Sequence, residues 1–393
     1  MAQGTDVSSV LNVIRATASD AYQTTIPLAT ASNITDVGAA VLNAPTAIRN
    51  EFMSNLYNKI GLTLIDSPVI ENQFSFLKKG TLEYGQTIED LYVGLAQSEP
   101  YVTGMKDGDE VPDPFAIRKL PHFSAFYSAI LSRQYPVTRH LTDLRKAFHN
   151  AVGLEQFVAG MMNSMVSSEN YDDMRATIAL VARQIEEAQK TGTANKHKGT
   201  VHLLTDYNTM MGYDGVDPNP DPLTPETALR DKDFLQYVTN QMKKWSKRMK
   251  WLRNDLNIAG VQNVLPKNRQ RVMMVEDITV DFETQLLAWA YNQGNLEIEG
   301  IDGIDAWYSI GVDDQGVATP DDIEVKTTFS TSATESAQCL AVIYDTDMVK
   351  IYNKERVASD QANAKGNYWN MFMSLEDIYA CSPYKNFVAF MLD

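Results

Sequence analysis

The side chains best suited to proton transfer or metal ligation near neutral pH are five histidines: His122, His140, His149, His197 and His202. Their spacing serves neither task, since no H-E-x-x-H pair occurs. His197 and His202 lie in or beside a predicted strand and could each ligate a metal, but a surface or hydrogen-bonded imidazole is the simpler reading. Oxygen ligands for calcium come closest to a pattern in DPNPDPLTPETA, which begins at Asp217. Pro222 stands where the sharp turn needs glycine and Ala228 where the bidentate glutamate belongs, so the loop fails as an EF-hand. The turns DDQGVATPDD and DGDEVPDP are acidic without a ligand register. Phosphate-cradling G-x-x-x-x-G-K-[ST] and G-x-G-x-x-G loops are missing, as is a G-x-S-x-G nucleophile elbow. The pairs Asp313–Asp314 and Asp321–Asp322 are what remains for carboxylate chemistry in a concave pocket. The expectation is a protein without cofactor, metal or catalytic centre.

One cluster of charge is strongly patterned. Lys243, Lys244, Lys247, Arg248, Lys250 and Arg253 crowd a few turns with no acid between them. Leu235, Val238, Met242, Trp245, Met249, Leu252 and Leu256 alternate at three and four residues, which predicts a helix over 231–256 with an apolar seam and a basic outer face. That face is either solvated or meets something anionic, as nucleic acid or as an acidic patch on a second copy. The charge pattern does not choose between these partners.

The elements that must carry these residues are mixed. The chain has 393 residues, which predicts two or three packed units, and its 44% hydrophobic content is enough for a real core. A formal charge of −16 argues against general capture by nucleic acid or an anionic membrane. No apolar run approaches a membrane span, and the first twenty residues lack a signal-peptide pattern, so a soluble protein made in the cytosol is expected. Cys339 and Cys381 read as separate buried thiols.

Residues 1–48 are rich in Ala, Thr and Ser and almost uncharged, and are read as an arm that orders against another surface rather than as a core builder. Ile48, Phe52, Leu56 and Ile60 predict a helix. Over 141–190 the apolar period is helical: Leu154, Phe157, Val158, Met161, Met162 and Met165 share one face, and Met174, Ile178, Val181, Ile185 and Ala188 another. Asp172 and Asp173 read as a first turn, with Lys190 and Gly192 at the end, giving one long helix. Residues 198–330 read as mixed α/β, with TVHLLTDY a strand, and 338–393 as β-rich.

The stretch LKKGTLEYGQTIEDLYVG (77–94) and its answer FAIRKLPHFSAFYSAILSR (115–133) predict a long hairpin with a polar tip at 98–114. Leu82, Tyr84, Ile88 and Tyr92 fall on one strand face, with Phe123 and Tyr127 in phase on the return, where Pro121 marks an edge or a break. Strands of some twenty residues would reach roughly 60 Å. Such a ribbon needs a surface for its aromatic side chains, and a neighbouring subunit is the economical source.

In this order of segments the sequence resembles the major capsid protein of tailed bacteriophages, the Hong Kong 97-type fold. LYNKIGLTLIDSPVIENQFSFLKKGTLEYGQTIEDLYVG (56–94) is similar to the lead into the extended loop of small short-tailed Picovirinae-type phages, and SRQYPVTRHLTDLRKAF (132–148) to the exit from it. The resemblance implies an α+β fold with an N-terminal arm (1–48), an entry helix (49–72) and an extended loop (73–135). It implies further a peripheral domain (136–193) with its spine helix at 168–191, an axial domain (194–337), and C-terminal strands returning to the peripheral domain (338–393). It implies pentamers and hexamers in an icosahedral head around double-stranded DNA, with portal and scaffolding protein as further partners, no membrane partner, and assembly in the host cytoplasm. Tyr84, Ile88, Tyr92, Phe123 and Tyr127 would be inter-subunit residues of the extended loop. Lys78, Lys79 and Lys106 stand where some relatives crosslink subunits, but no motif marks that reaction here, and the immunoglobulin-like domain that some relatives append is not expected. A cellular encapsulin-like shell of the same fold, and a soluble enzyme using the aspartate pairs, remain the alternatives.

Overall fold

The computed structural model describes residues 7–30, 32–60, 70–82, 88–96, 98–99, 115, 117–127, 129–140, 151–189, 197–216, 219–276, 300–313, 316–330 and 336–393. They fall into two compact units. The first comprises Met1–Gln73, Leu131–Met174 and Asn353–Asp377, the second Phe74–Ile130, Arg175–Tyr352 and Ile378–Asp393.

The first unit begins with four helices, α1 (Val7–Thr17), α2 (Asp20–Thr25), α3 (Ile34–Asn43) and α4 (Thr46–Ile60). The expectation that 1–48 builds no core is corrected here. Leu11, Ile14, Tyr22, Ile26, Val37 and Val41 are buried in one cluster with Phe52 of α4. The cause is helical spacing within very short helices, as in Ile34, Val37 and Val41 of α3 and Ile48 and Phe52 of α4, at intervals of three and four. The few polar side chains satisfy the backbone where the chain turns. Arg15 donates to the carbonyls of Gln23 (2.6 Å) and Ile26 (2.8 Å), Asn12 makes two bonds of 2.8 Å to the Ala29 backbone, and Ser19 caps α2 while donating to Glu51.

A five-stranded sheet runs in the order β1 (Lys78–Thr81), β13 (Val349–Asn363), β14 (Tyr368–Cys381), β4 (Ile130–His140), β9 (Val317–Ala318). On β14 every second residue, Trp369, Met371, Met373 and Leu375, enters the core of the arm helices, together with Met165 and the partly buried Tyr135 and Val137 of β4.

Helix α5 (Ala151–Gln189) is 39 residues long, about 58 Å at 1.5 Å per residue, and supplies its first part to one unit and its second to the other. The long helix was expected and its face Ile178, Val181, Ile185, Ala188 is buried. The start at Asp172 and Asp173 is not found, because both carboxylates lie inside the helix and are taken by strands. Asp173 pairs with Arg133 of β4 at 2.5 Å, and Arg133 also binds Asp377 of β14. Tyr135 donates to Asp172 at 2.8 Å, and Arg356 pairs with Glu169 at 3.0 Å.

The second unit is built on a six-stranded sheet, β5 (Thr200–His202), β15 (Phe387–Leu392), β12 (Ser336–Asp345), β6 (Gln270–Val275) and β7 (Ile301–Ile304), with β11 (Phe329–Ser330) also on β12. β15–β5 and β6–β7 are parallel, and β12 is antiparallel to both its neighbours. β8 (Trp307–Ile310) and β10 (Ile323–Lys326) form a separate antiparallel pair. Helices α6 (Leu203–Met211) and α7 (Lys232–Arg248) cover the large sheet through Leu204, Tyr207, Phe234, Leu235, Val238 and Met242. The strand read over TVHLLTDY shrinks to three residues before α6 begins, and Gly212 closes α6 at φ 72°, a left-handed position that suits glycine. The two units also cut the chain differently from the expected segments. β12 and β15 are core strands of the second unit, and only Asn353–Asp377 of the last segment lies with the first.

Candidate subunit-contact surfaces

The hairpin survives in reduced form. β2 (Ile88–Val93) pairs antiparallel with β3 (His122–Tyr127), in register Ile88↔Tyr127, Asp90↔Ala125 and Tyr92↔Phe123 on one face. Six residues per strand reach about 20 Å, so the strands of roughly twenty residues expected from the sequence are not seen among the described residues. β1 and β4 pair in a different sheet, and the return run is interrupted between β3 and β4. At the distal end Gly94 donates to the Pro121 carbonyl (2.7 Å), and a Cβ at 94 would stand 2.6 Å from the proline ring, so only glycine closes the ribbon there.

On the face carrying Ile88, Tyr92, Phe123 and Tyr127, Tyr92 and Tyr127 are half-buried and bond to the chain itself, while Phe123 is 50% exposed. Ile88 is buried. The Tyr92 hydroxyl donates to the Gln262 carbonyl at 2.6 Å, and its ring lies 5.7 Å from that of Tyr384 and 6.3 Å from that of Phe123. Tyr127 donates to Asp90 at 3.2 Å, and Lys350 reaches the same carboxylate at 3.4 Å. Burial, and after it the Asp90 charge, raise the Tyr127 phenol well above its ordinary pKa. A six-residue ribbon is short enough to lie on its own unit. Tyr84 lies outside the described residues, as does nearly all of the tip at 98–114.

The opposite face is what the ribbon leaves open. Leu91 (59% exposed), Val93 (53%) and Phe126 (68%) stand there beside Glu89, Ser124 and His122, and Leu95, Phe115 and Ile117 are exposed nearby in the sequence. The alternation of Tyr92 and Leu91 was legible; which of the two faces would be covered was not.

The basic residues also separate. α7 ends at Arg248 rather than at 256, so Leu252 leaves the seam and is exposed, while Leu235, Val238, Met242, Met249 and Leu256 are buried. Lys244, Lys247, Arg248 and Lys250 are exposed and Lys243 is half-buried. Arg253 is bonded to Asp255 at 2.5 and 2.8 Å, a bidentate pair that holds the carboxyl below its usual range. Arg248 and Arg253 stand 5.0 and 6.0 Å from the centre of the Trp245 ring, and an open hollow of about 420 Å³ is lined by Arg248, Trp251, Leu252, Arg253, Asn254 and Asp255.

Two of the aspartates proposed for carboxylate chemistry have structural tasks, and Asp321 is exposed. Asp322 accepts from the Thr319 amide and hydroxyl, both at 2.8 Å, and Asp313 from the Val317 amide at 2.8 Å, while Asp314 lies outside the described residues. His202 bonds to Asp393. Lys79 pairs with Asp347 at 3.4 Å, and Lys106 is outside the described residues. Among the described residues no group of three His, Cys, Asp or Glu side chains could hold a metal ion, and no helix is long and apolar enough to cross a membrane.

The fold has counterparts among known proteins. The capsid structure of Staphylococcus phage Andhra superposes with a TM-score of 0.54 over 84% of this chain and 87% of its own, at 12% identity. A chain from the structure of the head fiber and inner core protein gp22 of bacteriophage P68 gives 0.51 over 84% and 87%, also at 12% identity. The fold is therefore the Hong Kong 97-like α+β fold of phage capsids. The major capsid protein of Bacillus phage B103 is 24% identical over 389 residues, 98% of this chain and 73% of that protein. That of Streptococcus phage Cp-1 is 29% identical over 202 residues, half of this chain and 53% of that one. The model of the Phi29-like phage major capsid protein matches residues 11–391, and the chain belongs to that family. It is a structural component of the virion shell.

Proposed function

We propose that this chain closes its shell through rings of five and six copies, in which the open face of the β2–β3 ribbon lies on the next subunit. The observation that carries this is the ribbon's asymmetry. Ile88, Tyr92 and Tyr127 are anchored on the chain's own surface, while Leu91, Val93 and Phe126 are held out by that anchoring with nothing apolar over them among the described residues. A rigid ribbon presenting an apolar strip is a contact surface. Each such contact can be weak, because many act together on one closed shell.

In this reading the extended loop comprises 73–135, the peripheral part 136–193 with α5, and the axial part 194–337. The role is wholly structural, without a catalytic step. The net charge of −16 lets double-stranded DNA be packed without adhering to the wall. Portal and scaffolding proteins are the further partners, and assembly takes place in the host cytoplasm. Electron microscopy with light-scattering mass on the purified chain tests the reading. Closed shells, or rings of five or six copies, are expected; a monomer that stays monomeric at high concentration and in the presence of scaffolding protein contradicts it.

A further inference from the structure

Exposed charge of the second unit gathers near both ends of α7. At the start of the helix stand Asp231 and Asp233 beside the exposed Arg230 and Lys232, and α6 packs there through Tyr207, whose ring lies 5.3 Å from those of both Phe234 and Tyr237. The segment after α6 is tied back to it, with Asn208 bonding the Leu223 backbone twice at 3.0 Å, and it carries the exposed Asp214, Asp221 and Glu226 towards the start of α7, the net charge of this stretch and the helix start remaining acidic despite Arg230 and Lys232. Between these acids Met210 (60% exposed), Met211 (45%) and Val216 (65%) face outward.

The other pole lies 17 residues along the helix, about 25 Å away. There Lys244, Lys247, Arg248 and Lys250 are exposed, as are Trp251 (76%) and Leu252 (47%) just beyond the helix end. Among the described residues Lys244, Lys247 and Lys250 make no ion pair.

We propose that the basic, tryptophan-centred pole of one copy docks on the acidic, methionine-centred pole of a second copy. The inference rests on the self-assembly reading and names a contact within it. Both poles have the make-up of a protein interface, an apolar centre with a charged rim, and tryptophan and arginine are the residue types that most often carry binding energy. The signs are complementary, and two different patches meeting head to tail generate a ring when the rotation closes. Double-stranded DNA is the other anionic candidate for the cations. A duplex presents phosphates to a groove or wall and offers no apolar partner for Trp251 and Leu252, whereas the methionine pole does.

Sedimentation velocity on full-length variants reads the contact independently of shell closure. Reversal of the basic pole (Lys244→Glu, Lys247→Glu, Lys250→Glu) is expected to weaken self-association at least tenfold, and so is reversal of the acidic pole (Asp214→Lys, Asp221→Lys, Glu226→Lys). All six substitutions in one chain restore complementarity and are expected to recover association. Circular dichroism identifies any variant that has lost its fold, and the six-substitution chain reports even if one triple variant unfolds. Unchanged association in both triple variants, or no recovery in the sixfold one, overturns the contact. Loss of packaged DNA from the basic-pole variant with association intact overturns it too, in favour of DNA as the partner. If association follows the expected pattern while no variant, nor the parent, ever closes a shell, the failure lies with the assembly reading.

Discussion

His197 stacks on Phe387 with ring centres 4.3 Å apart, and both of its nitrogens are engaged. Nδ1 accepts from the Gly199 amide at 3.3 Å, so the proton resides on Nε2, which donates to the Phe387 carbonyl at 3.1 Å. Burial brings its pKa down to about 4, against an ordinary value of 6.5. The unfolded chain therefore binds a proton between pH 6.5 and 4 that the folded chain refuses, and stability falls as pH falls through that window. At pH 5 the loss relative to pH 7 is about 2 kcal/mol from this one group. Thermal unfolding of the parent and of His197→Asn at pH 7 and 5 checks it: the parent should lose more stability than the variant, and equal losses would refute the assignment. This residue also shows the limit of reading by composition. A metal ligand and a buried neutral imidazole look alike in sequence, and only the Phe387 carbonyl, 190 positions away, separates them.

Among the elements, α5 is fastened to two strands by charges with almost no exposed surface. The Arg133, Asp173 and Asp377 side chains are 0%, 0% and 2% exposed. Removing Arg133 takes a paired cation from two buried carboxylates, so Arg133→Met should cost about 3–5 kcal/mol, read as a lowered denaturant midpoint. A variant as stable as the parent would show that the carboxylates are neutralised in another way. The helix itself was legible, because Ile178, Val181, Ile185 and Ala188 keep a helical period across several turns. Its start was not, since Asp172 and Asp173 imitate a first turn although their partners, Tyr135 and Arg133, come from a strand forty residues earlier. The arm failed for the opposite reason. Helices α1 to α3 have 11, 6 and 10 residues, too short for a strong periodic signal, and their burial depends on Trp369 and Met371 more than three hundred positions away. Likewise the seam of α7 was legible, but the stop at Arg248 that frees Leu252 and Trp251 was not.

At the scale of the whole molecule, the order of secondary structure was the most readable property: a hairpin, a long helix, a mixed section and closing strands follow one another along the chain. The division of those closing strands between two units was not readable, because β12 and β15 owe their place to pairing with β5 and β6, which lie far upstream. The central claim concerns the surface this arrangement leaves open, the outer face of the ribbon. Leu91→Asp with Phe126→Asp places charge on that face while sparing Ile88, Tyr92 and Tyr127, which hold the ribbon down. Particle yield by electron microscopy, taken with the unfolding temperature of the same preparation, is the most direct test. The predicted result is an unfolding temperature within a few degrees of the parent's and a loss of closed shells. Normal shells at normal yield would mean that the face meets solvent in the virion and that the contact between copies lies elsewhere.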